Sequence, residues 1–244
     1  MRSTILFETT WALAALLSAT AAFGNAAVAG ETSTPTPICF EVWRGDSDIG
    51  RHRLRFEPTA DGLVAEIAID LRLGLGPITL FRYSHRNREL WQDGRLMKID
   101  TRTDDDGSRF AVSGRATESG LLVESAAGRQ LLPPEVVPTS YWREKMMRSA
   151  NWLDSQDGSA IQVKVAATAP LPGTVRGYAV SGDLELVAGY DNAGQWRGLS
   201  FNARGSRVDY RPCTAEETAM TWHFDLDDLS AVATAAAVRP GTGG

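Results

Sequence analysis

Histidine, cysteine and lysine are scarce in this 244-residue chain. There are three histidines and two cysteines, and of 25 basic residues only Lys98, Lys145 and Lys164 are lysines. Without a C-x-x-C pair or a Cys/His cluster, neither a metal site nor redox chemistry is indicated. No G-x-S-x-G elbow, P-loop, H-E-x-x-H or G-x-G-x-x-G occurs, so no cofactor and no catalytic residue is assigned. A basic surplus is missing too, and the formal net charge of −5 argues against a nucleic-acid partner. Glycine (23) and proline (11) are too few for a collagen-like or low-complexity chain. What is present, 43% hydrophobic and 23% charged residues, is the composition of one globular domain or at most two small ones.

Long apolar runs are confined to the start. Arg2, the run opening at Trp11-Ala12-Leu13-Ala14-Ala15-Leu16-Leu17, and Ala27-Val28-Ala29 before Gly30 predict a secretory signal peptide over residues 1–29. The stretch from Trp11 to Phe23 falls short of the ~20 residues that span a bilayer, and no later stretch is apolar enough. The expected product is periplasmic or secreted, with no transmembrane segment after cleavage. In an oxidising compartment the isolated pair Cys39 and Cys213 is most simply one disulfide, two separate buried thiols being the alternative. Such a bridge would tie the first predicted strand to the end of the last.

Residues 30–37, Pro-interrupted and polar, read as a flexible leader. Period-two alternation follows. Leu63, Ala65, Ile67, Ile69, Leu71 and Leu73 share one face, with Glu66, Asp70 and Arg72 on the other, as in a half-buried antiparallel strand. Ile161, Val163 and Val165 repeat the pattern. Turn signals at Asp61-Gly62, Asp93-Gly94, Asp106-Gly107, Asp157-Gly158 and Arg204-Gly205 punctuate it. The expectation is a mainly β domain over 38–213: a long antiparallel meander of about ten or eleven strands, forming a curved sheet or incomplete barrel around one helix. That helix is placed near 139–153, with Trp142, Met146, Ala150 and Leu153 on one stripe. Residues 214–244 read as a partly disordered tail.

The stretch from Phe81 to Leu96 carries the most chemistry. Alternation puts Phe81, Tyr83, His85, Asn87, Glu89 and Trp91 on one face and Arg82, Ser84, Arg86 and Arg88 on the other. A two-residue turn at Asp93-Gly94 would set Glu89 opposite Lys98 and His85 opposite Arg102; a three-residue turn would shift each by one. Read as a pocket wall, this face combines aromatic contact with polar fixing groups; read otherwise, it is a solvated cross-strand ladder. His52, alternating with Leu54 and Phe56, reads as a satisfied inward histidine. Asp104-Asp105-Asp106-Gly107 lacks the alternating oxygens and distant acid of a calcium loop and reads as a turn.

Several segments resemble the exported bacterial domain-of-unknown-function family 6134. They are Ile49-Gly50-Arg51-His52-Arg53, Phe81–Asp93 with Gly94-Arg95-Leu96, Thr103–Gly107, Pro138-Thr139-Ser140-Tyr141-Trp142, Ser181–Leu186 with Tyr190-Asp191, and Gly205–Tyr210. The pattern is also distantly similar to half-open β-barrel envelope proteins of the lipoprotein-carrier type. The resemblance implies a fold and an apolar-ligand habit, and no functional residue comes with it.

Three readings follow. The first is a non-catalytic periplasmic binder of an amphiphilic or lipid-like small molecule, with Tyr83, His85, Glu89 and Trp91 as candidate orienting groups and Tyr141 and Trp142 at the rim. The second is an envelope module whose partner is another protein. The third, a hydrolase, needs His85 within reach of a serine or carboxylate.

Overall fold

The computed structural model describes residues 34–75 and 78–229. The expected signal peptide, the first part of the leader and residues 230–244 of the tail lie outside them.

The described chain folds as one long sheet. Its first half is β1 (Ile38–Arg44), β2 (Ser47–Thr59), β3 (Gly62–Leu75), β4 (Ile78–Gln92), β5 (Arg95–Asp105), β6 (Ser108–Thr117), β7 (Gly120–Ser125) and β8 (Gly128–Leu132). Its second half is β9 (Val137–Pro138), β10 (Asn151–Leu153), β11 (Ala160–Thr168), β12 (Arg176–Gly182), β13 (Leu186–Tyr190), β14 (Trp196–Ala203) and β15 (Ser206–Pro212). The spatial order runs from β8 back to β1, crosses to β15, and descends to β9. Every pairing is antiparallel except β9 with β10. The sheet is curved and not closed: β8 and β9, its two ends, are consecutive in sequence but not hydrogen-bonded to each other. Expectation and structure agree in kind, and the fifteen described strands exceed the expected count.

Two halves whose strands pair with each other only at β1 and β15 need a firm seam. The Phe40↔Pro212 to Arg44↔Val208 ladder supplies one, and the Cys39–Cys213 disulfide closes its end with Cα atoms 5.3 Å apart.

The expected helix is largely replaced. Tyr141 takes a left-handed φ of 58°, and Arg143 is extended, so helical turns begin only at Glu144. A five-residue 3₁₀ turn, Glu144–Arg148, is all that forms before Ser149 leaves the helical region. Asn151, Trp152 and Leu153 instead pair as β10 with β11, and Ala150 is exposed. Trp142, Met146 and Met147 still point into the core. All three belong to the core that includes Trp91, Leu96, Val112 and Leu121, and the Trp142 ring meets Trp91 edge-on with centroids 5.8 Å apart.

The tail contributes α1 (Ala215–Ala219), capped by a reciprocal Thr214–Glu217 box. Beyond it, residues 222–227 cross the outer face of the first half. Arg55 donates to the Trp222 carbonyl at 3.0 Å, Arg88 lies 5.8 Å from the Phe224 ring centroid, and Arg102 pairs with Asp227 at 3.4 Å.

Candidate functional site

The concave face of the sheet encloses a cavity of about 470 Å³. One wall is aliphatic and aromatic: Ile67, Ile69, Leu71 and Leu73 from β3 meet Leu186, Leu199, Phe201 and Val208 from β13, β14 and β15. These are the inward positions that alternation requires of strands with one buried face. The other wall is polar, built from Tyr83, His85 and Asn87 of β4 with Thr139, Ser140, Ser155 and Gln156. At the end that carries the β1–β2, β3–β4, β5–β6 and β14–β15 turns, Arg44, Phe81, Asp105 and the exposed Arg204 surround the mouth. The Arg204 guanidinium sits 4.9 Å from the Phe81 ring centroid. The opposite end is filled by the packed Trp91, Trp142 and Met146 cluster.

Register explains why so many polar groups turn inward. Asp93 and Gly94 both have positive φ, 51° and 81°, the two-residue hairpin geometry that an Asp-Gly pair favours. The bulge at Leu90/Trp91 leaves Met97 as an extra residue, so Glu89 faces Ile99 and His85 faces Thr103. The shift of one position thus comes from a bulge and not from a longer turn. It aligns Phe40, His52, Ile69, His85 and Thr103 as one row across β1 to β5. The adjoining row is Leu54, Ile67, Asn87 and Thr101.

His85 Nδ1 is 2.8 Å from Thr103 Oγ1. Tyr83 donates its hydroxyl to Gln156 at 3.2 Å. Asn87 donates through Nδ2 to Glu89 Oε1 at 2.9 Å, and its own Oδ1 has no protein partner. His52 is not the satisfied histidine that the alternation suggests: neither ring nitrogen has a partner. Its ring lies edge-on to Trp196 and Tyr210, with centroids 5.3 and 5.6 Å away. Burial holds both imidazoles neutral. His52 is pushed down to about 3 by desolvation with a smaller push from His85, and His85 to about 3 by desolvation with a contribution from Arg86. Burial raises the Tyr83 and Tyr141 phenols and the Asp154 carboxyl.

Residues 40–213 match the family described as Domain of unknown function (DUF6134). The chain belongs to this family. No curated protein matches it. Among solved structures, it is similar to the crystal structure of a beta-barrel-like protein of Domain of Unknown Function DUF1849 from Brucella abortus. The identity is 10%, the match covers 74% of this chain and 96% of that one, and the TM-score is 0.51. At that identity the likeness concerns the fold alone.

In this DUF6134 chain the six residues singled out from the sequence separate into two groups. Tyr83, His85 and Tyr141 line the cavity. Glu89, Trp91 and Trp142 lie beneath its closed end, where Glu89 Oε2 accepts from the Trp91 indole at 2.8 Å and the Trp142 indole at 3.1 Å. Burial raises the Glu89 carboxyl against the opposing effect of these donors and of Asn87. Tyr141 and Trp142 are buried inside and not placed at the rim, because the left-handed Tyr141 backbone turns its carbonyl to the Tyr190 hydroxyl at 2.8 Å. The hydrogen-bond partner of His85 is a threonine, so the serine or carboxylate contact that a hydrolase needs is not made by this residue. Outside the six are His52 and Asn87, which also line the cavity, and Thr103, the partner of His85; alternation puts Asn87 on the face of Tyr83 and His85 and turns His52 inward. For Thr103 the inward period-two run Ile99, Thr101, Thr103, Asp105 was the available signal, and it becomes informative only once the register is known.

On the outer face of β2 and β4, Arg51, Arg55, Arg86 and Arg88 are paired. Arg51 contacts Asp48, Glu41 and Glu217, while Arg55 and Arg88 converge on Glu66 at 2.5 and 2.6 Å. Arg86 meets Asp70 at 2.9 Å. These guanidiniums are structural cross-strand partners.

Proposed function

We propose that this DUF6134 protein is a non-catalytic exported binder of an amphiphilic or lipid-like small molecule, held in the concave face of its sheet. The observation that supports this reading is the cavity itself. Its volume is within the range of small-molecule sites, and aliphatic walls with a few convergent polar groups are what such sites use. The volume suits one small amphiphile and not a multiply acylated chain. The disulfide accords with an oxidising compartment, and no helix among the described residues is long and apolar enough to cross a membrane.

The test is native mass spectrometry of the protein purified from the envelope, followed by extraction of any bound compound. A reproducible amphiphile, lost in an Ile69→Trp variant that fills the cavity, is the expected result. An unliganded mass for the wild type, unchanged by adding amphiphiles, would reject it.

A second reading, an envelope interaction module, draws on the apolar tip of the β3–β4 hairpin, where Ile78 and Leu80 are 60% and 57% exposed. Crosslinking from a cysteine placed at position 80 would recover a specific protein if that reading holds.

A further inference from the structure

If the cavity holds an amphiphile, as just proposed, its deepest polar groups decide which part of that molecule is anchored. These groups are His52, His85 and Asn87, in two adjoining rows of the sheet. His52 and Asn87 are only 3% and 1% exposed. Buried polar side chains are normally hydrogen-bonded, and each exception calls for an explanation. Here the exceptions cluster: both nitrogens of His52 and the Oδ1 of Asn87 lack protein partners, and both residues line the cavity.

The character of these groups is set by their neighbours. A carboxylate only accepts, so Glu89 takes the Asn87 amide nitrogen and Asn87 Oδ1 is left as an acceptor. His85 has Nδ1 engaged with Thr103, which leaves Nε2 as its second hydrogen-bonding atom. A neutral imidazole offers one donor and one acceptor, and rotation about the terminal side-chain bond of His52 turns one or the other toward the cavity. Together they offer an acceptor fixed in place and imidazoles that can donate or accept. No cation lies at that depth, since Arg86 points outward to Asp70 and the lining guanidiniums, Arg44 and Arg204, sit at the mouth. The lining carboxylates, Asp105 and Asp154, oppose an anion.

We infer that the ligand is anchored by an uncharged hydrogen-bonding group, a hydroxyl or amide, seated against His52, His85 and Asn87, and not by an anionic head at the arginines of the mouth. A hydroxyl donates to Asn87 Oδ1 and accepts from an imidazole N–H. A carboxylate or phosphate would set lone pairs against Asn87 Oδ1, and burying its charge without a partner is costly.

Decanol, decanoate and decylammonium have ten carbons each and differ in head group and charge, so their dissociation constants test the inference on the wild-type protein by tryptophan fluorescence. Decanol should bind about tenfold or more tightly than either ion, and His52→Phe should weaken decanol about tenfold with little effect on decanoate. Tighter decanoate binding, abolished by Arg204→Ala, would overturn the inference and move the head to the mouth. Equal affinities unaffected by His52→Phe would overturn it while leaving the binder reading intact. Failure of all three to bind would overturn both. Because Asn87→Leu also strips Glu89 of a donor and can unfold the core, the deciding measurements are the wild-type series and His52→Phe.

Discussion

Asn87 and Glu89, two positions apart on the inner face of β4, are joined by a 2.9 Å hydrogen bond from amide nitrogen to carboxylate. The bond ties the polar wall of the cavity to the closed end beneath it. Glu89 is fully buried and also accepts from two indoles, while the Arg143 guanidinium lies 4.9 Å from the Trp142 ring centroid and 5.4 Å from that of Trp91. Replacing Glu89 by leucine leaves three donors without an acceptor. At roughly 1–3 kcal/mol for each orphaned buried group, Glu89→Leu should destabilise by about 3 kcal/mol or more. Glu89→Gln retains one acceptor oxygen and should cost less. Urea unfolding midpoints of the two variants check the order, and equal losses would mean that packing, not hydrogen bonding, dominates there.

The disulfide makes a separate prediction. It joins residues 174 apart at the seam where the two halves of the sheet meet. In the chain-entropy account, a loop that long approaches the ceiling of about 5 kcal/mol. The ladder beside it persists without the bond, so Cys39→Ala with Cys213→Ala should remain folded and lose roughly 2–4 kcal/mol. A folded double variant that unfolds at the wild-type denaturant concentration would show that the seam holds without covalent help.

The parts legible in the sequence were local. Alternation from Leu63 to Leu73 assigned β3 its faces, and the Asp93-Gly94, Asp106-Gly107 and Arg204-Gly205 pairs marked turns because their backbone needs positive φ. The segment 139–153 misled because Tyr141 is turned left-handed to reach Tyr190, and Asn151–Leu153 finds a strand partner; both are tertiary effects that helical periodicity does not carry. The binding face was half legible. Tyr83 and His85 stood out, but the inward set on β5 depends on the extra Met97. The apolar wall is half from β3, whose inward face alternation shows, and half from β13 to β15, which lie far along the chain.

Residues 222–227 give a prediction about local order. Trp222 lies 5.0 Å from the Arg55 guanidinium, measured to the ring centroid, and an exposed cation–π contact contributes about 0.5–1 kcal/mol. Replacing Trp222 and Phe224 by alanine should therefore leave the global melting transition nearly unchanged. Release of the tail should show instead as faster protease cleavage between Thr214 and Asp227, read by intact mass. A large drop in melting temperature would mean that the tail is part of the cooperative core.

Finally, His52 should make stability depend on pH in a defined direction. Its folded value is about 3 against an ordinary 6.5, so between those limits the unfolded chain binds a proton that the native chain does not. Stability is then full above pH 6.5 and falls as the pH drops, by about 1.4 kcal/mol per unit for one histidine. Glu89 and Asp154, whose carboxyls are raised by burial, contribute in the opposite sense. Comparison with His52→Phe cancels them, because phenylalanine suits the Phe40, Trp196 and Tyr210 surroundings and does not titrate. Measured by urea unfolding at pH 7.5 and 5.5, the wild type should lose about 1.4 kcal/mol relative to the variant over that interval. Parallel pH profiles for the two proteins would mean that the folded His52 ring takes up a proton as readily as the unfolded one, so that it would be charged at pH 5.5 and neutral enough to anchor a ligand only at higher pH.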